Sequence, residues 1–511
     1  MTITIVIFAL YFIGIIAITL YSSRQLRKVS DAGFSAEYFV GGRNLGPFAL
    51  AILVATGIAS TGTFIGGPGV AAQQGPGYSL LFVMGQILMN LIILGILGKK
   101  ISIIGRRTNA QTFIDIFAAR FENFKPLIIL LIGSILVVLI ALATAEFTGG
   151  SRVIQSMTGI PFEYSLLAFA GIIVAYSVFG GLKGVSLVGI LQGILMTIAS
   201  IILIVGYLIH FQGLTPIFDQ VRAIDPNLMT PGGGGPNGGA PLTEMLGYWL
   251  TYGLAYLGLP WAVQATLGYR STRTMKSAIV IGIVMAGIWT VFVGNLGGVA
   301  GRAFSPDLEV PDFTIPLLAE GILPGSLAGV VLAGVAGAGQ STIAALFILA
   351  SGSMVVSGHR LLNKEALSGR ATKRLSVITT TAIGLLTVFL ALNPPPSLQF
   401  LITFAVGGSG AAFAPPLLLA LFWPRANKYG AFVGVVSGMA GYIVFSQNYL
   451  GIELLQQMPV VFGALLSFAL TVLVSQFTRK PTRETIQIYF GKYEQGDHAS
   501  IPAVESAARK A

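Results

Sequence analysis

The residues able to do chemistry in this chain are few and mostly uncharged. There is no cysteine among the 511 residues, which excludes disulfides, thiolate metal sites and a Cys nucleophile. The three histidines, His210, His359 and His498, fall at the ends of apolar segments or in the polar tail, with no metal-ligand spacing. What remains is a set of oxygens. Ala338, Ser341 and Thr342 stand at i, i+3 and i+4, so on a helix one carbonyl and two hydroxyls share a face. Oxygen-only, partly neutral ligation suits a hard cation. The other reading is that both hydroxyls bond back to their own helix, which is frequent in membranes. Glu146, in Ala141-Leu-Ala-Thr-Ala-Glu-Phe-Thr, is the one acid or base placed deep in a long apolar segment. A charge there costs at least about 2.5 kcal/mol, so a proton carrier, a solute contact or a water-cavity residue is expected. The plainer placement is near the outer end of its helix, reaching water beside Arg152.

The backbone offers two more candidates. Val54 to Pro68 reads Val-Ala-Thr-Gly-Ile-Ala-Ser-Thr-Gly-Thr-Phe-Ile-Gly-Gly-Pro inside an apolar run. Gly costs roughly 1 kcal/mol against Ala in a helix interior and Pro about 3. In lipid, a loosened helix is tolerated only where its freed N–H and C=O groups line a polar site or the protein interior. A broken helix with carbonyls available to a cation fits this, and so does a small-residue face for close packing. A second weak stretch, Tyr252-Gly-Leu-Ala-Tyr256-Leu-Gly-Leu-Pro260, breaks the seventh apolar segment. Two Gly/Pro-interrupted segments in corresponding positions of two halves point to a binding site between inverted repeats. The two tyrosines otherwise read as packing or interfacial aromatics.

The elements that must position these residues are membrane helices. The chain is 54% hydrophobic and 10% charged, with mean hydropathy +0.82, which predicts an all-α polytopic membrane protein. Thirteen stretches approach the roughly 20 residues needed to span a bilayer: 3–21, 46–70, 77–98, 126–151, 162–180, 184–209, 242–268, 275–300, 324–356, 375–393, 397–423, 429–447 and 456–477. With the N-terminus outside, only Arg152, Arg222 and Arg302 of the 30 Lys and Arg fall on the outer side. The net charge of +11 therefore belongs mostly to a face meeting an anionic inner leaflet, not to nucleic-acid binding. The first segment has no basic stretch before it, and Arg24, Arg27 and Lys28 follow it, the reverse of a signal peptide. The expected organisation is a first helix and cytoplasmic loop (1–45), a five-helix repeat (46–209), a Gly-rich outer connector read as flexible (210–241), a second repeat (242–423), two peripheral helices (424–477) and a cytoplasmic tail (478–511). Asn109 to Phe121 is expected to form a short interfacial helix, with Asp115 solvated or capping.

Several stretches resemble the solute:sodium symporter family over nearly the whole chain: Glu37-Tyr-Phe-Val-Gly-Gly-Arg, Phe64-Ile-Gly-Gly-Pro-Gly, Gly149-Gly-Ser-Arg, Gly180-Gly-Leu-Lys and Gln340-Ser-Thr. Gly95-Ile-Leu-Gly-Lys-Lys, Ile224-Asp-Pro-Asn-Leu-Met-Thr-Pro and Gly258-Leu-Pro look most like its sodium/pantothenate branch. The resemblance implies a leucine-transporter-like 5+5 core and sodium-coupled uptake by alternating access, not an enzyme. It maps a sodium site to the carbonyls of Thr56, Ala59 and Ala338 and the hydroxyls of Ser341 and Thr342. It maps a solute site near Ser60, Thr61, Gly62, Tyr252, Tyr256 and Pro260, to which the residue reading adds Thr63 and Glu146. Position 252 is Tyr where a Trp is expected, and Ile58 replaces an acid of the proline branch, which disfavours proline. Gly189 stands where an Asp supports a second sodium in some members, and Ala345 replaces a hydroxyl residue, so one sodium is expected. Glu146 aligns with a usually neutral position and is expected to add proton coupling or solute selection. The expected partners are sodium, membrane lipid and a small solute, with pantothenate or a similar carboxylate first. Proline, a monocarboxylate or a sugar acid are alternatives, and so is a solute sensor on the same fold. No obligate protein partner is expected. The expected location is the inner (plasma) membrane, with the C-terminus cytoplasmic.

Overall fold

The computed structural model describes residues 2–491, except 27, 29, 31–33, 35–37, 40–45, 57–58, 235–238, 254, 269–271, 363–366 and 394–397. Ile58, most of the Glu37-to-Arg43 motif and the side chain of Tyr256 thus lie outside the described residues. A chain in hydrocarbon must satisfy its backbone polar groups internally, and here the regular elements among the described residues are all helical. The helices that position the site are, in chain order, α1 (Thr2–Leu26), α2 (Pro47–Thr56), α3 (Gly67–Gln74), α4 (Pro76–Leu91), α5 (Phe113–Arg120), α6 (Lys125–Thr158), α7 (Phe162–His210), α8 (Leu214–Ile224), α9 (Leu242–Gly253) and α10 (Pro260–Ala265). They continue with α11 (Gly325–Ser351), α12 (Leu398–Phe422), α13 (Lys428–Ser446), α14 (Pro459–Phe477) and α15 (Arg483–Phe490).

Among the described residues, ten helical stretches are long and apolar enough to cross a membrane. The other three predicted segments are built from shorter pieces, and two of these carry the predicted breaks. Segment 46–70 is α2, a break, a π-helical turn at Gly62–Gly66 and then α3. Segment 242–268 is α9, a 3₁₀ turn at Ala255–Gly258 and then α10. Segment 77–98 is α4 followed by a π-helical stretch at Ile92–Gly98, an irregularity the sequence did not announce. The predicted helices 162–180 and 184–209 are found as two spans, Phe162–Gly181 and Gly184–His210, together labelled α7 and separated at Gly181, whose non-helical φ of 58° is open to glycine at little cost.

The core runs along α11 and α12. Their apolar windows are 94% and 89% buried, against 28% for α1 and α14, which face lipid at the rim. Small residues let the central backbones approach closely. A Cβ on Gly334 of α11 would come within 2.5 Å of Ala199 on α7. The short interfacial helix forms as α5. Thr112 and Asp115 make a capping box at its start, and Asp115 also pairs with Arg360 at 2.8 Å.

The Gly-rich connector departs from expectation. Its described part is not a free linker: it contains α8, and Gly234 N donates to Gln74 O at 3.1 Å. Gly233, at φ 78°, lies so close that a Cβ would stand 1.8 Å from Gln74 O. Here glycines serve close approach rather than freedom.

Candidate functional site

The break after α2 frees backbone groups that need partners, and the structure shows where they go. Thr56 O accepts from both Ser341 Oγ and Thr342 Oγ1 at 3.1 Å. The same hydroxyls donate to Ala338 O at 2.8 and 3.3 Å. The back-bonding reading of this face holds, and the hydroxyls in addition reach across to α2. Four oxygens, Thr56 O, Ala338 O, Ser341 Oγ and Thr342 Oγ1, converge on one small space between the broken helix and α11. None carries a formal charge, a donor set that fits a hard monovalent cation better than a divalent one. Ala59 is buried at the same break, its N–H bonded to Ala55 O at 2.7 Å. A Cβ on Gly189 would lie 3.8 Å from Thr56 Oγ1, the hydroxyl that bonds back to Ile52 O, so the position packs against the Thr56 side chain and itself brings no side-chain ligand. Ala345 lines a separate small cavity of about 20 Å³ with Leu53, Trp261 and Gln264.

Across the break, the second half-helix begins at Thr61. Its N–H donates to Glu146 Oε2 at 2.9 Å, and its Oγ1 donates to the same oxygen at 2.8 Å. Gly62 N–H is taken by Ser60 Oγ at 3.0 Å. Glu146 is fully buried on α6. Its placement beside water near Arg152 is therefore overturned, because Arg152 instead pairs with Asp312. The carboxylate caps the positive end of a half-helix, where an anion is stabilised. Its Oε1 has no hydrogen-bond partner. Gly339 of α11 packs against the carboxyl, a Cβ there falling 3.3 Å from Glu146 Oε2.

At the second break, Tyr252 is buried and its hydroxyl shares a 2.8 Å hydrogen bond with Thr403 Oγ1. Ser409 Oγ donates to the freed Gly258 O at 3.1 Å. Pro260 opens α10 at its first turn, where its missing N–H costs nothing. Both breaks share one wall, α12. Ile402 lies over Gly62, 3.0 Å from where a Cβ would stand, while Thr403 and Ser409 hold the second break. Thr63 is buried in the π-helical turn.

The predicted solute residues thus fall into two groups, one at each break: Ser60, Thr61, Gly62, Thr63 and Glu146 at the first, Tyr252 and Pro260 at the second. Thr403 and Ser409 were not singled out from sequence, although Gly407-Gly-Ser-Gly410 is a small-residue signature of close helix approach. Thr403 also lines a cavity of about 580 Å³ with Tyr248, Thr251, Tyr442, Glu244 and Glu453.

A match to the model of the sodium:solute symporter family covers residues 38–438. The chain belongs to that family. Two relatives make the same point along almost the full length. The sodium/pantothenate symporter of Haemophilus influenzae is 34% identical, covering 86% of this chain and 90% of that protein. The sodium/pantothenate symporter of Escherichia coli is 33% identical, covering 93% and 97%. A solved sodium-coupled sialic acid symporter in a substrate-bound, outward-open state superposes with a TM-score of 0.74 at 17% identity, over 94% of this chain and 99% of that one. The fold is the leucine-transporter-like one that the sequence implied. As a family member the chain is a multi-pass membrane transporter that couples a small solute to sodium.

Proposed function

We propose that this symporter imports a small carboxylate, pantothenate first among them, with one sodium ion per cycle by alternating access. The carrying observation is the four-oxygen cluster of Thr56, Ala338, Ser341 and Thr342, which joins the end of α2 to α11. An ion there, completed by the Ala59 carbonyl, draws the first break against α11. Ser60 to Thr63 then take their place opposite Tyr252, Tyr256 and Pro260. Sodium and solute each favour the state that binds the other, which is reciprocal coupling. One sodium follows from Gly189 and Ala345, which offer no further ligand. The two five-helix repeats occupy 46–209 and 242–423, with the N-terminus outside. The pantothenate choice is supported by the identity of 33–34% to two symporters of that name.

Glu146 supports a second element of the reading. A carboxylate repels an anionic solute, and its Oε1 is unpaired in a fully buried place. A proton carried on Glu146 removes the repulsion and the cost of a buried charge, so the solute enters with sodium and a proton-bearing Glu146.

The test is a binding screen of the purified protein with and without sodium, against pantothenate, proline, sialic acid, sugars and monocarboxylates. Sodium-dependent binding of pantothenate is expected. Sodium-dependent binding of another class alone overturns the solute assignment. Binding with no sodium dependence for any ligand overturns the coupling. A sensor would bind in the same way, yet would fail to accumulate solute in sodium-driven proteoliposomes.

A further inference from the structure

Helix α1 stands outside both repeats, yet it reaches the back of the ion site. Tyr11 Oη donates to Gln340 Oε1 at 2.5 Å. Gln192 Nε2, from α7, donates to Tyr11 Oη and to Gln340 Oε1, each at 3.2 Å. Tyr176 Oη, also from α7, donates to the Gln340 backbone carbonyl. All four side chains are buried. Gly337 leaves room for the contact, since a Cβ there would stand 3.1 Å from the Tyr11 hydroxyl.

Gln340 immediately precedes Ser341 and Thr342, whose hydroxyls point the other way, to Thr56 O. The network therefore grips one face of α11 while the opposite face presents the oxygen cluster. A rotation of α11 that kept the clamp intact could not move the two hydroxyls, because both faces belong to one rigid helical turn.

We propose that Tyr11, Gln192 and Tyr176 are positioning residues for sodium: through Gln340 they set the rotation of α11 and hence the spacing of its hydroxyls from Thr56. This makes α1, a lipid-facing helix outside the repeats, a working part of the ion site. The proposal rests on the sodium reading above.

The test uses sodium alone, so no solute need be known. Radiolabelled sodium is titrated onto the purified full-length protein. Tyr11→Phe and Gln192→Leu each remove hydrogen bonds to Gln340, and each is expected to weaken sodium binding on the order of three- to tenfold, the usual effect of a neutral hydrogen bond. The double variant is expected to lose less than the product of the two, because the groups act through one side chain. Thr4→Val is the control. Thr4 Oγ1 bonds only Gly325 O, at 2.9 Å, so this change loosens α1 against α11 far from Gln340 and should leave sodium affinity unchanged. Wild-type affinity in Tyr11→Phe and Gln192→Leu overturns the proposal. So does an equal loss in Thr4→Val, which would mean helix packing and not the network. A wild-type protein that binds no sodium overturns the symport reading itself, whereas Thr342→Ala losing sodium while the network variants keep it overturns only this inference.

Discussion

At the scale of the residue, Glu146 separates two tasks that a single substitution can tell apart. Its Oε2 receives the Thr61 N–H, so Glu146→Ala leaves that buried donor unpaired. The expected loss is about 1–3 kcal/mol of stability, read as a lower thermal midpoint in detergent. Glu146→Gln keeps an acceptor for Thr61 and removes the ionisable group. Its stability is expected to stay near wild type, while the pH dependence of uptake flattens. A pH profile identical to wild type would end the proton role. Ser341 and Thr342 lead to a different expectation. Each hydroxyl touches two carbonyls, so Thr342→Ala is expected to raise the sodium concentration for half-maximal uptake about tenfold or more. These residues were legible in the sequence because i, i+3, i+4 spacing is local. The partner of Glu146 was not: Thr61 lies 85 positions away, and only the packing of α6 against the break brings them together. Separation in sequence likewise hid Tyr11 from Gln340, 329 positions apart.

At the scale of the element, α12 and α15 carry the expectations. Helix α12 holds both breaks, so Thr403→Val removes the hydroxyl partner of Tyr252 and should lower solute affinity more than sodium affinity, by about two- to tenfold. Equal losses for both ligands would argue against a solute-side role. Helix α15 of the tail docks under α5: Tyr489 Oη donates to Ile116 O, and Thr482 N–H donates to Glu122 Oε1 at 2.8 Å. Glu122 Oε2 also receives Lys428 Nζ at 3.0 Å. Burial works to raise the Glu122 carboxyl, but the Thr482 N–H and the Lys428 ammonium outweigh it and hold the group below the ordinary carboxylate value. A carboxyl lowered in the folded state stabilises it above the unfolded value, and that contribution is lost as pH falls through the lowered one. Acidification into that range is therefore expected to loosen α15, seen as faster amide exchange over Arg483–Phe490, and Glu122→Gln should show the looser tail already at neutral pH. The breaks were predictable because Gly and Pro penalise a membrane helix wherever they occur. The connector was misread for a related reason. A glycine run signals permissive backbone, but composition alone does not say whether the permission is used for motion or, as at Gly233, for contact.

At the scale of the whole molecule, the helix directions agree with the predicted order of the crossings. Thr4 meets Gly325, and Tyr11 meets Gln340, so α1 and α11 run in the same direction. That is the relation required if they are the first and ninth crossings. Hydropathy made this much legible, since bilayer thickness acts on every segment alike. Solute identity is not legible in the same way, because Ile402 covers Gly62 and the groups proposed to face the solute are small or already bonded to one another.

In the proposed cycle, sodium held between Thr56 and α11 drives solute inward. Accumulation of labelled pantothenate in proteoliposomes, with an inward sodium gradient imposed, tests it most directly. Wild-type protein is expected to concentrate pantothenate only while the gradient stands, and the Ser341→Ala/Thr342→Ala double variant is expected to fail even at sodium levels that saturate the wild type. Accumulation that persists without a sodium gradient, or that survives intact in the double variant, would contradict the account.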